Sequence, residues 1–111
     1  MDIAFGSTKL QKTLNTQALL VQAHGPKRAQ RIRQRLDDMA AAGCLQEMER
    51  LPGRCHELKG NRAGQLALDL DHPYRLIFKP DHDPVPIKSD GGLDWQAVTS
   101  VVILGIEDYH G

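Results

Sequence analysis

Two short segments far apart in the sequence carry most of the titratable chemistry of this chain: Cys55-His56-Glu57-Leu58-Lys59-Gly60, and Glu107-Asp108-Tyr109-His110 just before the final glycine. Between them they hold two imidazoles, carboxylates, a phenol and an ammonium. Metal-free RNA cleavage takes a proton off a ribose 2′-hydroxyl, stabilises a pentavalent phosphorus and protonates the departing 5′-oxygen, which requires two proton carriers and one or two cations. His56 and His110 titrate near neutrality and suit the proton transfers. Arg75 and Lys59 suit the phosphate charge, and Tyr109 can stack on a base or orient a proton. Asp108 stands two positions before His110. On an extended tail both side chains would share one face, where the carboxylate would orient the imidazole or act as a base itself.

Each of these residues has an ordinary reading when taken singly. The chain has five histidines, so any two can be unrelated surface residues. His72 before Pro73 reads as a turn residue, and His82 between Asp81 and Asp83 as a solvated loop residue. Arg75 beside Tyr74 can be a strand residue with a packed stem, and Lys59-Gly60-Asn61-Arg62 a charged turn. A zinc site from His56, Asp108 and His110 lacks a helical His-x-x-x-His or a thiolate pair, so no metal is expected. The run Lys27-Arg28-x-x-Arg31-x-Arg33-x-Arg35 opposes the dipole at a helix N-terminus. It is either a solvated flank or, through Lys27, Arg28 and Arg31, a contact for an RNA backbone or an acidic partner.

The elements that would position these groups follow from periodicity. Asp2-Ile3-Ala4-Phe5 reads as a short opening strand. Thr8 with Gln11 resembles a capping box, and Leu10, Leu14, Ala18 and Val21 recur at helical spacing, so a helix is predicted over about 8–23. Gly25-Pro26 breaks it. Pro26 opens a second helix with a stripe of Ala29, Ile32, Leu36 and Met39, ended by Gly43, to give a helical hairpin over about 8–42. A short helical turn fits Leu45–Glu49. Leu66, Leu68 and Leu70 alternate with polar or small residues, and Asp71-His72-Pro73 turns the chain into Tyr74–Phe78, a β-hairpin. The Pro-, Asp- and Gly-rich stretch over about 79–96 is expected as a long exposed loop, and Val98–Ile106 as a strand covered on both faces. The sheet should thus span about 54–110.

Composition bounds the function. At 111 residues the chain is expected to be a single domain over 1–111 with one active surface, and it has no apolar run that could span a membrane. The N-terminus lacks the basic and apolar regions of a signal peptide, so a cytoplasmic location is expected. Cys44 and Cys55 fit neither a zinc ribbon nor a disulfide framework and are read as reduced and structural. Net charge is zero but unevenly spread: residues 1–62 hold 11 Lys/Arg against 6 Asp/Glu, and residues 63–111 hold 3 against 8. A neutral total weakens nonspecific attraction to nucleic acid and leaves that task to a local basic patch.

The helical hairpin, the segment His56-Glu57-Leu58-Lys59-Gly60-Asn61-Arg62 with Gly64, the hairpin Leu68–Phe78 and the tail Ile103–His110 together resemble the HigB-like toxins of the RelE/ParE superfamily, the killer proteins of type II toxin-antitoxin systems. The resemblance implies an α+β fold in which a two-helix hairpin packs on a small twisted, mainly antiparallel sheet of four to five strands. It implies a ribosome-dependent mRNA interferase with His56, Arg75, Asp108, Tyr109 and His110 as catalytic positions; the basic residues Lys59, Arg62, Lys27, Arg28 and Arg31 are, by their charge, candidates for the RNA phosphates. It implies no metal or organic cofactor. The implied partners are the translating ribosome with its mRNA and a HigA-like helix-turn-helix antitoxin, through which alone operator DNA would be reached. Two other functions stay open: a ParE-like poison of a protein target such as DNA gyrase, and a degenerate toxin serving as an antitoxin-binding regulator of transcription.

Overall fold

A computed structural model describes residues 1–108, so Tyr109 and His110 lie outside the described residues. Strand β1 (Asp2–Phe5) is followed by helices α1 (Thr8–Asn15) and α2 (Gln17–Ala41), a 3₁₀ turn at Leu45–Arg50, and strands β2 (His56–Glu57), β3 (Leu66–Asp69), β4 (Tyr74–Pro80) and β5 (Ser100–Asp108). The strands form one sheet in the order β1-β5-β4-β3-β2. Only β1 pairs in parallel, with β5; the remaining pairings are antiparallel. The α+β architecture of helices on a mainly antiparallel sheet is therefore as the sequence predicts, with five strands.

Local chemistry shifts some boundaries. The N-cap of α1 is Ser7, whose hydroxyl accepts from Leu10 N–H at 3.1 Å, one residue before the expected Thr8. The predicted first helix is interrupted at Thr16, which is extended (φ −118°, ψ 112°) and starts α2. Gly25 leaves helical geometry (φ 80°, ψ 160°), so α2 is two helical arms meeting at the predicted Gly25-Pro26 break. The second arm is tied back to α1: Arg33 donates from Nη1 to the Leu14 carbonyl at 3.1 Å.

One face of the sheet is covered by the helices. Leu14, Leu20, Ala29, Ile32, Leu36 and Met39 meet Leu66, Leu68, Leu76, Phe78, Val101 and Ile103 in a continuous core, with Leu45 and Met48 of the 3₁₀ turn closing it. The segment after β4 is less irregular than expected. Ile87 bridges Leu93, Lys88 N–H bonds Gly92 C=O at 2.8 Å, and Trp95 donates from Nε1 to Glu57 at 3.0 Å. Leu93 and Trp95 pack against the core, which anchors this loop at one end. Among the described residues no helix is long and apolar enough to cross a membrane.

One irregularity governs the other face. Along β5, Ile103 pairs with Phe78 while Gly105 pairs with Ile77, so Leu104 is an extra residue, a β-bulge. Strict alternation from the core positions Val101 and Ile103 would put Glu107 under the helices and Asp108 on the open face. The bulge reverses this. Ile106 joins the helix side, and Gly105 and Glu107 turn to the open face beside Ile77 and Arg75.

Candidate active site

The open face holds two rows of side chains that run across the sheet. Asp69, Arg75 and Glu107 form one, and His56, Ala67, Ile77 and Gly105 the other. Arg75 is buried, and its Nη1 lies 3.5 Å from His56 Nε2. His56 Nδ1 lies 2.7 Å from the Arg54 carbonyl, which can only accept, so Nδ1 carries the proton. Nε2 is then the basic nitrogen, turned toward a permanent cation. Of the five residues read as catalytic, the described residues bring His56, at the start of β2, against Arg75, at the start of β4.

What holds His56 there was not legible beforehand. Gly53 (φ 113°) and Arg54 (φ 49°) are both left-handed, and this turn aims the Arg54 carbonyl at the ring. Asp69 then clamps the turn: its carboxylate accepts from Arg54 Nε at 2.8 Å, and its N–H donates to the Gly53 carbonyl at 2.6 Å. From the helix side, buried Arg35 donates from Nε to the Asp69 carbonyl at 2.9 Å. A Cβ on Gly53 would stand 2.8 Å from Arg35 Nε and 3.2 Å from Leu68 Cδ2. Gly53→Ala is therefore expected to cost about 1–3 kcal/mol of stability through strain and crowding, measured as a lowered urea midpoint.

Glu107 is the second group the sequence reading missed as a site residue. Arg62, at the end of the short turn Gly60–Arg62, donates from Nη1 and Nη2 to its two carboxylate oxygens at 2.6 and 2.7 Å. Gln65 Oε1 holds the same guanidinium through Nε at 3.1 Å and Nη2 at 2.9 Å. Because Gln65 adjoins β3 and Glu107 is on β5, the Arg62 head crosses over β4, above the open face. The Arg62 hydrogen bond holds the Glu107 carboxyl below the usual carboxylate range; partial desolvation opposes it, and the charges of Arg62 and Arg75 assist. A depressed pKa keeps this pair intact at every pH above the ordinary glutamate value of 4.5, and it is lost only as pH falls through the lower folded value.

The other predicted residues lie elsewhere. Asp108 pairs with Tyr74, in the row that turns to the helix side, because of the bulge at Leu104; the register does not put it beside Arg75. Lys59 is exposed ahead of the Gly60–Arg62 turn. On α2, Lys27 is exposed and Arg31 half-buried, while Arg28 is committed: its Nε lies 3.0 Å from Asp71 and its guanidinium 3.4 Å from the Tyr74 ring centroid. This stack fastens the helix to the β3–β4 turn. Arg28→Ala should therefore lower the melting temperature by several degrees, the effect of about 1 kcal/mol in a domain of this size, and leave RNA affinity within about twofold. A large affinity loss in a folded Arg28→Ala protein would make Arg28 an RNA contact.

Burial pushes the Cys55 thiol up to about 12, with Glu49 and Glu57 adding to the effect, so it stays protonated and is no nucleophile. Among the described residues no three His, Cys, Asp or Glu side chains converge as metal ligands. A small cleft of about 220 Å³ opens beside the pair, lined by Arg54, Asp69, His72, Tyr74 and Arg75. The arrangement offers an oriented imidazole base, a fixed guanidinium and a second guanidinium above them.

This architecture matches the fold of solved YoeB- and ParE-type toxins. In particular, the YoeB/ParE toxin from Agrobacterium tumefaciens matches with a TM-score of 0.61 at 9% identity, covering 99% of this chain and 100% of that one. A chain of the YoeB-YefM complex from Staphylococcus aureus matches with a TM-score of 0.58 at 18% identity, over 100% of this chain and 98% of that chain. The YoeB dimer from Staphylococcus aureus gives 0.57 at 19%, with the same coverage. What is shared at these identities is the fold. No protein-family model and no curated sequence matches the chain.

Proposed function

We propose that this protein is the toxin of a type II toxin-antitoxin pair and acts as an endoribonuclease on translated mRNA, in the HigB-like branch of the RelE/ParE superfamily. The observation that carries the reading is the contact of His56 Nε2 with Arg75 Nη1 at 3.5 Å on the open face of a toxin-type sheet. An oriented imidazole nitrogen beside a buried guanidinium suits the start of the reaction. In this mechanism His56 Nε2 takes the proton of a ribose 2′-hydroxyl, and the 2′-oxygen bonds to the adjacent phosphorus. Arg75 neutralises the charge that grows on the phosphoryl oxygens, as a preorganised fork of donors can. The bond to the 5′-oxygen breaks, that oxygen takes a proton from the tail, with His110 as donor, and a 2′,3′-cyclic phosphate remains. The Arg54 carbonyl holds the proton on Nδ1, which leaves Nε2 as the nitrogen that exchanges a proton with the substrate. Tyr109 stacks on the base of the cleaved nucleotide, and Asp108 acts from the strand end on the tail.

An antitoxin is the expected partner, since solved YoeB toxins of this fold are held in YoeB-YefM toxin-antitoxin complexes. We expect a helix-turn-helix antitoxin of the HigA type, and the ribosome as the place where RNA is presented in the cytoplasm. The test is induced expression of wild type and His56→Ala in a bacterial host, with new RNA 5′ ends mapped on translated messages. Codon-phased cuts with wild type only are expected. Growth arrest without cuts would move the assignment to poisoning of a protein such as DNA gyrase, and no arrest would leave a regulator that only binds the antitoxin.

A further inference from the structure

We propose that Glu107 is a built-in substitute for an RNA phosphate, occupying the anion position between Arg62 and Arg75 until a nucleic-acid strand displaces it. The proposal rests on the nuclease reading of the site only for the identity of the displacing anion.

Three observations lead to it. The carboxylate is bound bidentately by Arg62, at 2.6 and 2.7 Å, in the fork geometry that guanidinium also uses for phosphate oxygens. Arg75 is the direct cross-strand neighbour of Glu107, and its charge acts on that carboxyl. The ion pair is reachable, with 35% of the Arg62 and 42% of the Glu107 side chain exposed, so a competing anion can enter. An exposed pair of this kind contributes little to stability. A purely structural tie would be a poor use of a charge placed on the open face by a β-bulge.

Displacement would leave Arg62 in position. Its Nε and Nη2 remain bonded to Gln65 Oε1, so the guanidinium stays above β4 when the carboxylate swings away. The phosphate then meets two cations instead of one. Before that, Glu107 cancels one of them, which matches the zero net charge of the chain and discourages loose binding of any polyanion. The substitute therefore raises selectivity: only a strand seated well enough to replace a bidentate carboxylate gains the second guanidinium.

The test uses the full chain and a single-stranded 2′-deoxyoligonucleotide, which lacks the attacking hydroxyl, with binding followed by fluorescence anisotropy across a salt series. Glu107→Gln should bind roughly 3–10-fold more tightly, the effect of removing about one near-surface charge interaction. Its log affinity should also fall more steeply with log salt, by about 0.7 for one added phosphate contact. Arg62→Ala placed on Glu107→Gln should abolish both gains. Glu107→Ala serves as the second variant and should behave like Glu107→Gln. Unchanged or weaker binding in the folded Glu107 variants, or a gain that survives Arg62→Ala, would overturn the proposal. Wild-type cleavage measured in parallel separates the two readings: cutting without a Glu107 effect removes only the phosphate substitute, and an Arg62-dependent gain without cutting removes only the nuclease.

Discussion

His56→Ala is expected to lower the cleavage rate on ribosome-bound mRNA by about 10²–10⁴-fold, the usual worth of a positioned general base. The loss should be in the chemical step. His56 is half-buried on a two-residue edge strand, and its ring is held by a single backbone carbonyl and faced by Arg75, so its removal empties little of the core. The folded state should survive, and a circular-dichroism melt within a few degrees of wild type would show it. Single-turnover rates then isolate the chemistry. A wild-type rate in a folded His56→Ala protein would take the imidazole out of the mechanism and leave Arg75 as a docking residue.

For Arg75→Ala the expected loss is about 10²–10³-fold in rate, comparable to removing one preorganised donor from a developing oxyanion. Arg75→Lys should recover little of it. Lysine keeps the charge but lacks the planar fork that can face His56 Nε2 and a phosphoryl oxygen together. Arg75 is buried between Asp69 and Glu107 in the strand register, so each variant needs its own unfolding curve. Ribosome affinity, measured separately, should remain near wild type. The reverse pattern, with affinity lost and rate kept, would make Arg75 a binding residue.

Much of the architecture was legible because it rests on local patterns. The alternation Leu66, Leu68, Leu70 fixes the buried face of β3, and the turn at Asp71-His72-Pro73 closes as expected, with Tyr74 N–H bonded to the Asp71 carbonyl at 2.8 Å. Gly25-Pro26 breaks the helices where its chemistry says it must. Nonlocal features were hidden. The parallel pairing of β1 with β5 joins the two ends of the described chain, and no periodicity announces it. The extended Thr16 looks like any helical residue by composition.

The site divides in the same way. His56 and Arg75 were identified by chemical type, and the fold unites them. Arg54 and Asp69 were overlooked because their roles depend on a left-handed backbone and a carbonyl direction. Glu107 and Asp108 exchanged faces through one inserted residue, Leu104, and only Gly105 beside it hinted at a bulge. Arg28 was grouped with free cations because its stack on Tyr74 links segments far apart in sequence.

Attack by a ribose 2′-oxygen at the His56–Arg75 pair stands or falls on one atom of the substrate. An mRNA translated in a purified system is cut by the wild-type protein, its cut site is mapped, and the ribose just 5′ of the cut is replaced by deoxyribose. No cut is expected at that position with the deoxy substrate, and a 2′,3′-cyclic phosphate is expected on the upstream fragment of the all-ribose message. Equal cutting of the deoxy message, or upstream fragments ending in a free 3′-hydroxyl, would contradict it.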